Sequence, residues 1–327
     1  MTGAAITGVG TAVPERAVSS SELEDSLGLE PGWIAARTGI ESRRIASASD
    51  SVTALGAAAA RDALDAAGLA PRYLDYVIVA TTTPDDNLPA AAPLLQHALG
   101  CDGGAFDLAA GCSGFLVALA QADALVRAGS ARHVLVAGVD LMSRIVDFSD
   151  PKTGIVFGDG AGAAVVSAAP EPALGPFKLH SDGSRPELLT VPHGGTVKMA
   201  GREVYRRAVQ EMTASVEEAV ALGEGSLAGV DLVVAHQANA RILAAVAERL
   251  GLDEARMFTN IERYGNTSAA SIPLALREAQ ERGVLREGDR LVLAAFGAGF
   301  VWGAGLARWT IPSERVAAPA EVGAALV

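Results

Sequence analysis

The chain has 327 residues, half of them hydrophobic, with 36 glycines and only 5% aromatics, so it can bury a large core of small aliphatic side chains. A formal charge of −12 and a pI near 4.9 argue against nucleic acid or an anionic membrane as the general partner, because both need a basic face. Two cysteines, Cys101 and Cys112, make no disulfide framework and fit a reducing, cytoplasmic setting, while the opening MTGAAITGVG lacks a basic n-region and no apolar run is long enough to span a bilayer.

Residues 4–9 read as an opening strand, followed by a turn over 10–14 and a polar helix near 19–27. In WIAARTGIESRRI, residues 33–45, Trp33, Arg37 and Thr38 can share one face of a short helix, and indole beside guanidinium can sandwich a flat ring. The same pair reads equally as a core anchor with a solvated lid. Residues 51–68 form an alanine-rich helix with a glycine stop, and 74–82 (LDYVIVATT) are the unbroken apolar run of a strand buried on both faces. A helix over 90–99 and a strand over 104–109 follow.

Residues 106–126, FDLAAGCSGFLVALAQADALV, pass from a short apolar run through a Gly/Cys/Ser/Gly turn into an amphipathic helix, which places Cys112 at a strand-to-helix junction. Unpaired N–H groups and the positive end of the helix dipole favour a thiolate there, with Gly111 and Gly114 expected to leave room for a substrate. The competing reading is a small buried hydrophobe. After a strand over 133–139, the second half echoes the first: VDLVVAH (230–236) matches LDYVIVA (74–80), RLVLAA (290–295) matches RHVLVA (132–137), and FGxG recurs at 157–160 and 296–299. The third echo falls 19 residues short of the second, which an insertion near residues 140–155 explains. Three echoes in one order imply an internal duplication, and alternating strands and helices imply an α/β class.

In the second half, REVYRR puts Arg202, Arg206 and Arg207 on a helix at i, i+4 and i+5, and Arg241 and Arg249 lie two turns apart on another, two candidate basic faces on an acidic protein. The strand over 232–235 ends in HQANARI, and a strand-like piece over 257–261 leads through GNTSAAS into a helix over 271–282. His236 and Asn266 therefore sit in strand-to-helix turns like that of Cys112. Thiol, imidazole and amide together suit acyl transfer through a thioester and then chemistry at an enolate.

On WIAARTGI, FDLAAGCSGF, FGDGAGAAVV, HQANARI, RYGNTSAAS and AFGAGFVWG, the chain resembles the β-ketoacyl-acyl-carrier-protein synthase III family of thiolase-like condensing enzymes, over about residues 6–309. The resemblance implies a homodimer with an α/β, thiolase-like fold, a five-layered αβαβα sandwich of two duplicated halves: 1–168 with the cysteine, 169–327 with the histidine and asparagine. It also implies a decarboxylative condensation of acyl-CoA with malonyl-acyl-carrier protein, without metal or organic cofactor. Cys112 would be the nucleophile, the backbone N–H groups of Cys112 and Ala298 the oxyanion donors, and His236 and Asn266 the enolate donors. Trp33, Arg37, Thr38, Asn239 and Arg241 match coenzyme A and pantetheine contacts, and Leu88 and Phe157 match acyl-pocket positions. Arg206, Arg241 and Arg249 are expected to meet an acidic carrier protein. Elongating ketosynthases carry a second histidine where this chain has Asn266. Departures are Ala298, where the family often has glycine, and Pro151 with Lys152, where an arginine is common. A non-condensing acyltransferase to a hydroxyl or amine, or a non-catalytic acyl-binding subunit, would leave His236 and Asn266 without a task.

Overall fold

The computed structural model describes residues 3–312. The chain opens with β1 (Gly3–Ala12), then a ribbon of β2 (Ala17–Ser19) and β3 (Ser42–Arg44) that holds α1 (Ser20–Leu27) and α2 (Trp33–Thr38) between its strands. Next come α3 (Val52–Ala67), β4 (Tyr76–Ala80), α4 (Ala91–Leu99), β5 (Gly104–Leu108), α5 (Gly114–Arg127), β6 (His133–Leu141) and β7 (Asp159–Ala169). The second half begins with β8 (Leu174–Ser181), the short ribbon β9 (Leu189–Thr190) with β10 (Lys198–Met199), α6 (Gly201–Leu222), β11 (Leu232–Ala235) and α7 (Ala240–Leu250). It closes with α8 (Ile261–Tyr264), α9 (Ser271–Glu281), β12 (Arg290–Gly297) and β13 (Val301–Arg308).

Two sheets share one plan. The first runs β1-β7-β6-β4-β5 and the second β8-β13-β12-β11. In each, the echoed strands pair in parallel, β4 with β6 and β11 with β12, and the next pair is antiparallel, β6 with β7 and β12 with β13. The connection from β6 to β7 occupies residues 142–158, whereas that from β12 to β13 is only residues 298–300, so the extra length sits in the first half as expected. One expected strand is missing. Met257 makes a single parallel bridge to Val233, and residues 261–264 are helical instead. The Gln237 side chain takes the Phe258 carbonyl and the Asn260 N–H, the backbone groups that would otherwise extend the ladder.

Side chains alternate between the two buried faces of the strands and sort the helices into layers. Val77 and Val79 pack with Ala59, Ala60 and Ala63 of α3 and Leu95 of α4, while Ile78 and Ala80 face a central layer. That layer is α5 and α9, whose Phe115, Leu116, Leu119, Ile272 and Leu276 touch Val134 and Val136 of the first sheet and Leu291 and Leu293 of the second. Beyond the second sheet, Met212 and Val216 of α6 and Leu243 and Val246 of α7 cover Val233 and Val292. Each fully buried Leu or Phe contributes about 1.5–3 kcal/mol, so the two central helices are held from both sides. Their N-termini follow Cys112 and Asn266, which brings those two turns to one place between the sheets. Among the described residues no helix is long and apolar enough to cross a membrane.

Candidate active site

β5 leads into the single turn Gly111–Ser113, and α5 starts at Gly114, so Cys112 stands at the head of a central helix. Gly111 has φ +53, and a Cβ on it would lie 3.1 Å from the Ala298 nitrogen. A Cβ on Gly297 would lie 2.7 Å from the Cys112 nitrogen. The cysteine turn and the β12–β13 turn are therefore in backbone contact, and the Ser113 hydroxyl fastens them by donating to the Val301 carbonyl at 2.7 Å. This corrects the expected use of the flanking glycines: they make room for protein, Gly111 against Ala298 and Gly114 against the Ala80 Cβ at 2.9 Å, rather than for substrate. The alanine at 298 is tolerated because positive φ falls one residue later, on Gly299 at +138.

The Cys112 environment also works against the helix-dipole argument. Burial pushes the thiol up to about 11, the nearby Asp140 adds to that rise, and a hydrogen bond from Ser268 opposes it. Loss of water around the sulfur opposes the favourable helix end. His236 follows β11, its N–H donates to the Ala294 carbonyl at 2.8 Å, and its Nδ1 lies 2.6 Å from the Ser271 hydroxyl at the start of α9. It is 1% exposed, and burial pushes the imidazole down to about 3, so the ring is neutral. Asn266 is bridged in parallel to Phe157, its backbone bonded to Val156 and Gly158. Its Oδ1 accepts from the Ser268 N–H at 2.9 Å, which leaves Nδ2 as the donor end of the amide. His236 and Asn266 thus bring a neutral imidazole and an amide to the lining shared with Cys112.

All three line one cavity of about 500 Å³, together with Phe157, Phe296, Thr38, Asn239, Arg37 and Arg241. The cavity is within the range that encloses an organic ligand. Thr38 is 3% exposed and spends its hydroxyl internally, donating to the Ile34 carbonyl and accepting from the Ile40 N–H. Asn239 caps α7 by accepting from the Arg241 N–H and donates to the Arg37 carbonyl, which ties α7 to α2. Lys152 and Arg202 join Arg37 and Arg241 on the lining, a local basic cluster on a protein of net charge −12. Among the described residues there is no group of three or more His, Cys, Asp or Glu side chains placed to hold a metal.

Three expectations need correction. The Arg37 guanidinium already lies 3.9 Å above the Trp33 ring, so no second ring fits between them and a planar ligand could stack only on an outer face. Leu88 is 86% exposed and lies outside the cavity of this chain, because the loop that carries it turns outward before α4. Arg207 is not free for docking: it pairs with Asp182 and Glu211 and stands over the Phe300 ring. Arg206 and Arg249 do come together, across a shallow dent between α6 and α7 beside the cavity mouth, with Tyr205 common to both. Sequence reading missed Asp140, Ser268 and Ser271. A lone carboxylate ending the apolar run HVLVAGVD and two serines within GNTSAAS were the available signals.

Residues 106–183 match the family described as 3-oxoacyl-[acyl-carrier-protein] synthase III, and residues 224–309 match the family described as its C terminal. A β-ketoacyl-[acyl-carrier-protein] synthase III from Erythrobacter litoralis is 44% identical over 318 residues, covering 94% of this chain and 99% of that protein. The crystal structure of 3-oxoacyl-[acyl-carrier-protein] synthase III from Aquifex aeolicus superposes with a TM-score of 0.92 at 40% identity, covering 94% of this chain and 100% of that one. That of a priming β-ketosynthase from a polyketide biosynthetic pathway gives 0.91 at 35% identity, covering 95% and 97%. With the paired sheets, the central helices and a cysteine, histidine and asparagine on one cavity, these likenesses show that the chain is a thiolase-fold ketosynthase and belongs to the β-ketoacyl-acyl-carrier-protein synthase III family.

Proposed function

We propose that this chain performs the initiating condensation of an acyl-CoA with malonyl-acyl-carrier protein, through an acyl group held on Cys112. The observation that carries it is the meeting of Cys112, His236 and Asn266 on one cavity with a basic mouth. In the first half-reaction the Cys112 sulfur adds to the acyl-CoA carbonyl, and the oxyanion is held by the N–H groups of Cys112 and Ala298. The C–S bond to coenzyme A breaks, and the leaving thiolate takes up the proton that Cys112 gives up. In the second, the malonyl carboxylate leaves as carbon dioxide and its electron pair passes into an enolate. With Ser271, 2.6 Å away, as the donor to Nδ1 of His236, Nε2–H is left to face the enolate oxygen beside the Asn266 amide. Neutral donors suit this step, since they stabilise new negative charge without giving up a proton. The enolate carbon attacks acyl-Cys112, the 3-oxoacyl-carrier protein forms, and the Cys112 thiolate leaves and is protonated by water. Decarboxylation itself supplies the carbanion, so the scheme needs neither metal nor organic cofactor. Transfer of the acyl group to a hydroxyl or amine would give His236 and Asn266 nothing to stabilise.

The carrier protein is assigned to the α6–α7 surface, where Arg206 and Arg249 flank the route to Arg241 and Arg202 at the mouth. Coenzyme A is assigned to the side formed by Arg37, Thr38 and Asn239, with Trp33 offering its outer face. A second copy is assigned to the open edge at β5, where Phe106 is 40% exposed and the Leu88 loop also projects. Two free cysteines fit a cytoplasmic setting. The halves 1–168 and 169–327 are taken as the duplicated units whose junction holds the cavity. The reading is tested by intact mass spectrometry after exposure to a panel of acyl-CoAs, then to malonyl-carrier protein. The expected result is one acyl group on the parent and on Cys101→Ser, none on Cys112→Ser, and a 3-oxoacyl-carrier product. An acylated Cys112→Ser variant, or an acyl group that malonyl-carrier protein never consumes, overturns it.

A further inference from the structure

Beside Cys112 the structure holds a serine and a carboxylate that the scheme above does not use. Ser268 is 2% exposed, and its Oγ lies 3.5 Å from the Cys112 Sγ. Its backbone is at φ +51, a conformation that glycine adopts freely and a serine seldom does, so the turn keeps a hydroxyl where a glycine would fit better. Behind it, Asp140 is fully buried at the end of β6. Its Oδ1 accepts from the Thr82 N–H at 2.7 Å, the Thr82 hydroxyl at 2.9 Å and the hydroxyls of Thr81 and Thr83 at 3.3 Å each. Its Oδ2 accepts from the Ala269 N–H at 3.1 Å, and Ser268 also hydrogen-bonds to this carboxylate. The Thr81 and Thr83 hydroxyls each accept a backbone N–H, from Thr83 and Leu141, so their own protons are free to point at Asp140. The cage sets donors around both oxygens against a burial that pushes the Asp140 carboxyl up, and no basic side chain pairs with Asp140 among the described residues.

We propose that Ser268 is a catalytic hydroxyl of this site, donating its hydrogen to the Cys112 sulfur whenever that sulfur carries negative charge, and that Asp140 is a positioning residue, the competing acceptor that holds this hydrogen while the sulfur is neutral. The inference rests on the reading of Cys112 as the nucleophile. The sulfur is anionic twice in that reading, once as it attacks and once as it leaves, in a place where burial disfavours the charge. A fixed hydroxyl replaces part of the lost hydration. Its proton stays on oxygen, no bond to Ser268 forms or breaks, and the proton of the thiol goes to the departing coenzyme A. Ser268 has one hydrogen to give, so Asp140 and the sulfur compete for it, and the charge on Asp140 opposes a second anion nearby. The remaining titratable side chains on the cavity that holds the sulfur are the neutral His236 at the end of β11, Tyr205, and Arg37, Lys152, Arg202 and Arg241.

The test is the rate at which iodoacetamide alkylates Cys112 in the substrate-free protein across a pH series, with the labelled residue mapped by peptide mass. Ser268→Gly removes the hydroxyl, keeps the backbone N–H that holds Asn266, and relaxes φ +51. A hydrogen bond to a charged group is worth enough that alkylation near neutral pH should fall about tenfold, after allowance for the greater intrinsic reactivity of a more basic thiolate. Asp140→Asn should act the other way and speed alkylation, since it removes a neighbouring charge and its amide can donate to Ser268 Oγ. Opposite shifts support the proposal. Parent-rate alkylation in Ser268→Gly overturns it, and so does a parallel slowing in both variants, which is what a merely structural role predicts. Should Asp140→Asn fail to fold by circular dichroism, Ser268→Gly alone decides. No substrate enters this measurement, so a protein that alkylates as expected but takes no acyl group from acyl-CoA sinks the proposed function and leaves standing only the hydrogen bond from Ser268 to the charged sulfur.

Discussion

Gly297→Ala adds one methyl group at the point where β12 passes the cysteine turn. Its Cβ would lie 2.7 Å from the Cys112 nitrogen, 2.9 Å from the Ser113 nitrogen and 3.3 Å from the Ala110 carbonyl oxygen. Non-bonded contacts to carbon are favourable near about 3.5–4.0 Å, so the first two are deep in the repulsive range. All three atoms are backbone, and no rotamer change relieves them. Gly297 has no positive φ, so the cost is steric alone. Overpacking of this kind costs about 1–3 kcal/mol, which for a chain of this size lowers the melting temperature by about 2–6 °C. The turn must slide away from Gly297, and the Cys112 N–H moves with it. Loss of one well-placed oxyanion donor typically costs on the order of 100- to 1,000-fold in rate, so acylation by acyl-CoA should slow by about that factor. The assay pairs scanning fluorimetry with time-resolved intact mass. Gly183→Ala is the control, because a Cβ there meets nothing within 4 Å. If Gly297→Ala melts and acylates like the parent, the two turns do not touch as described and the oxyanion assignment loses its basis.

The enolate donors should separate from the nucleophile: His236→Ala or Asn266→Ala is expected to lose malonyl decarboxylation by on the order of 100- to 1,000-fold while Cys112 still takes up an acyl group. Release of carbon dioxide at the parent rate in either variant would remove that assignment. Charge reversal at Arg206 and Arg249 should raise KM for malonyl-carrier protein at low salt, with the loss shrinking as salt rises and acylation from acyl-CoA unchanged; an unchanged KM places docking elsewhere. Burial holds the His236 imidazole at about 3, so between the ordinary value of 6.5 and that value the unfolded chain binds a proton that the native state refuses. This contribution to stability is complete above about pH 6.5 and is lost as pH falls toward 3. Urea midpoints should therefore decline over that window, and less steeply in His236→Gln; identical slopes would show that His236 titrates normally.

Much of this was legible in the residues because it is local. A continuous apolar run such as 74–82 flanked by helices reads as a strand covered on both faces, and its echo at 230–236 pointed to a duplication that the second sheet repeats in its pairing. Turns of small and polar residues after strands mark where side chains reach a shared junction, which is why Cys112, His236 and Asn266 could be named together. The shortfall in the FGxG echo even located the long connection between β6 and β7.

What the tertiary structure alone decided concerns contacts between segments far apart in the chain. Arg207 looks like Arg206 along a helix, and only the arrival of Asp182 beside it turns one into an ion pair and leaves the other exposed. Trp33 and Arg37 satisfy each other, which no spacing rule distinguishes from a pair waiting for a ligand. The Cys112 thiol is the sharpest case. A helix N-terminus is a local feature and argued for a low pKa, but burial pushes the thiol up and Asp140, from another part of the chain, adds to the rise. Dipoles are written into a segment; desolvation is a property of everything packed around it.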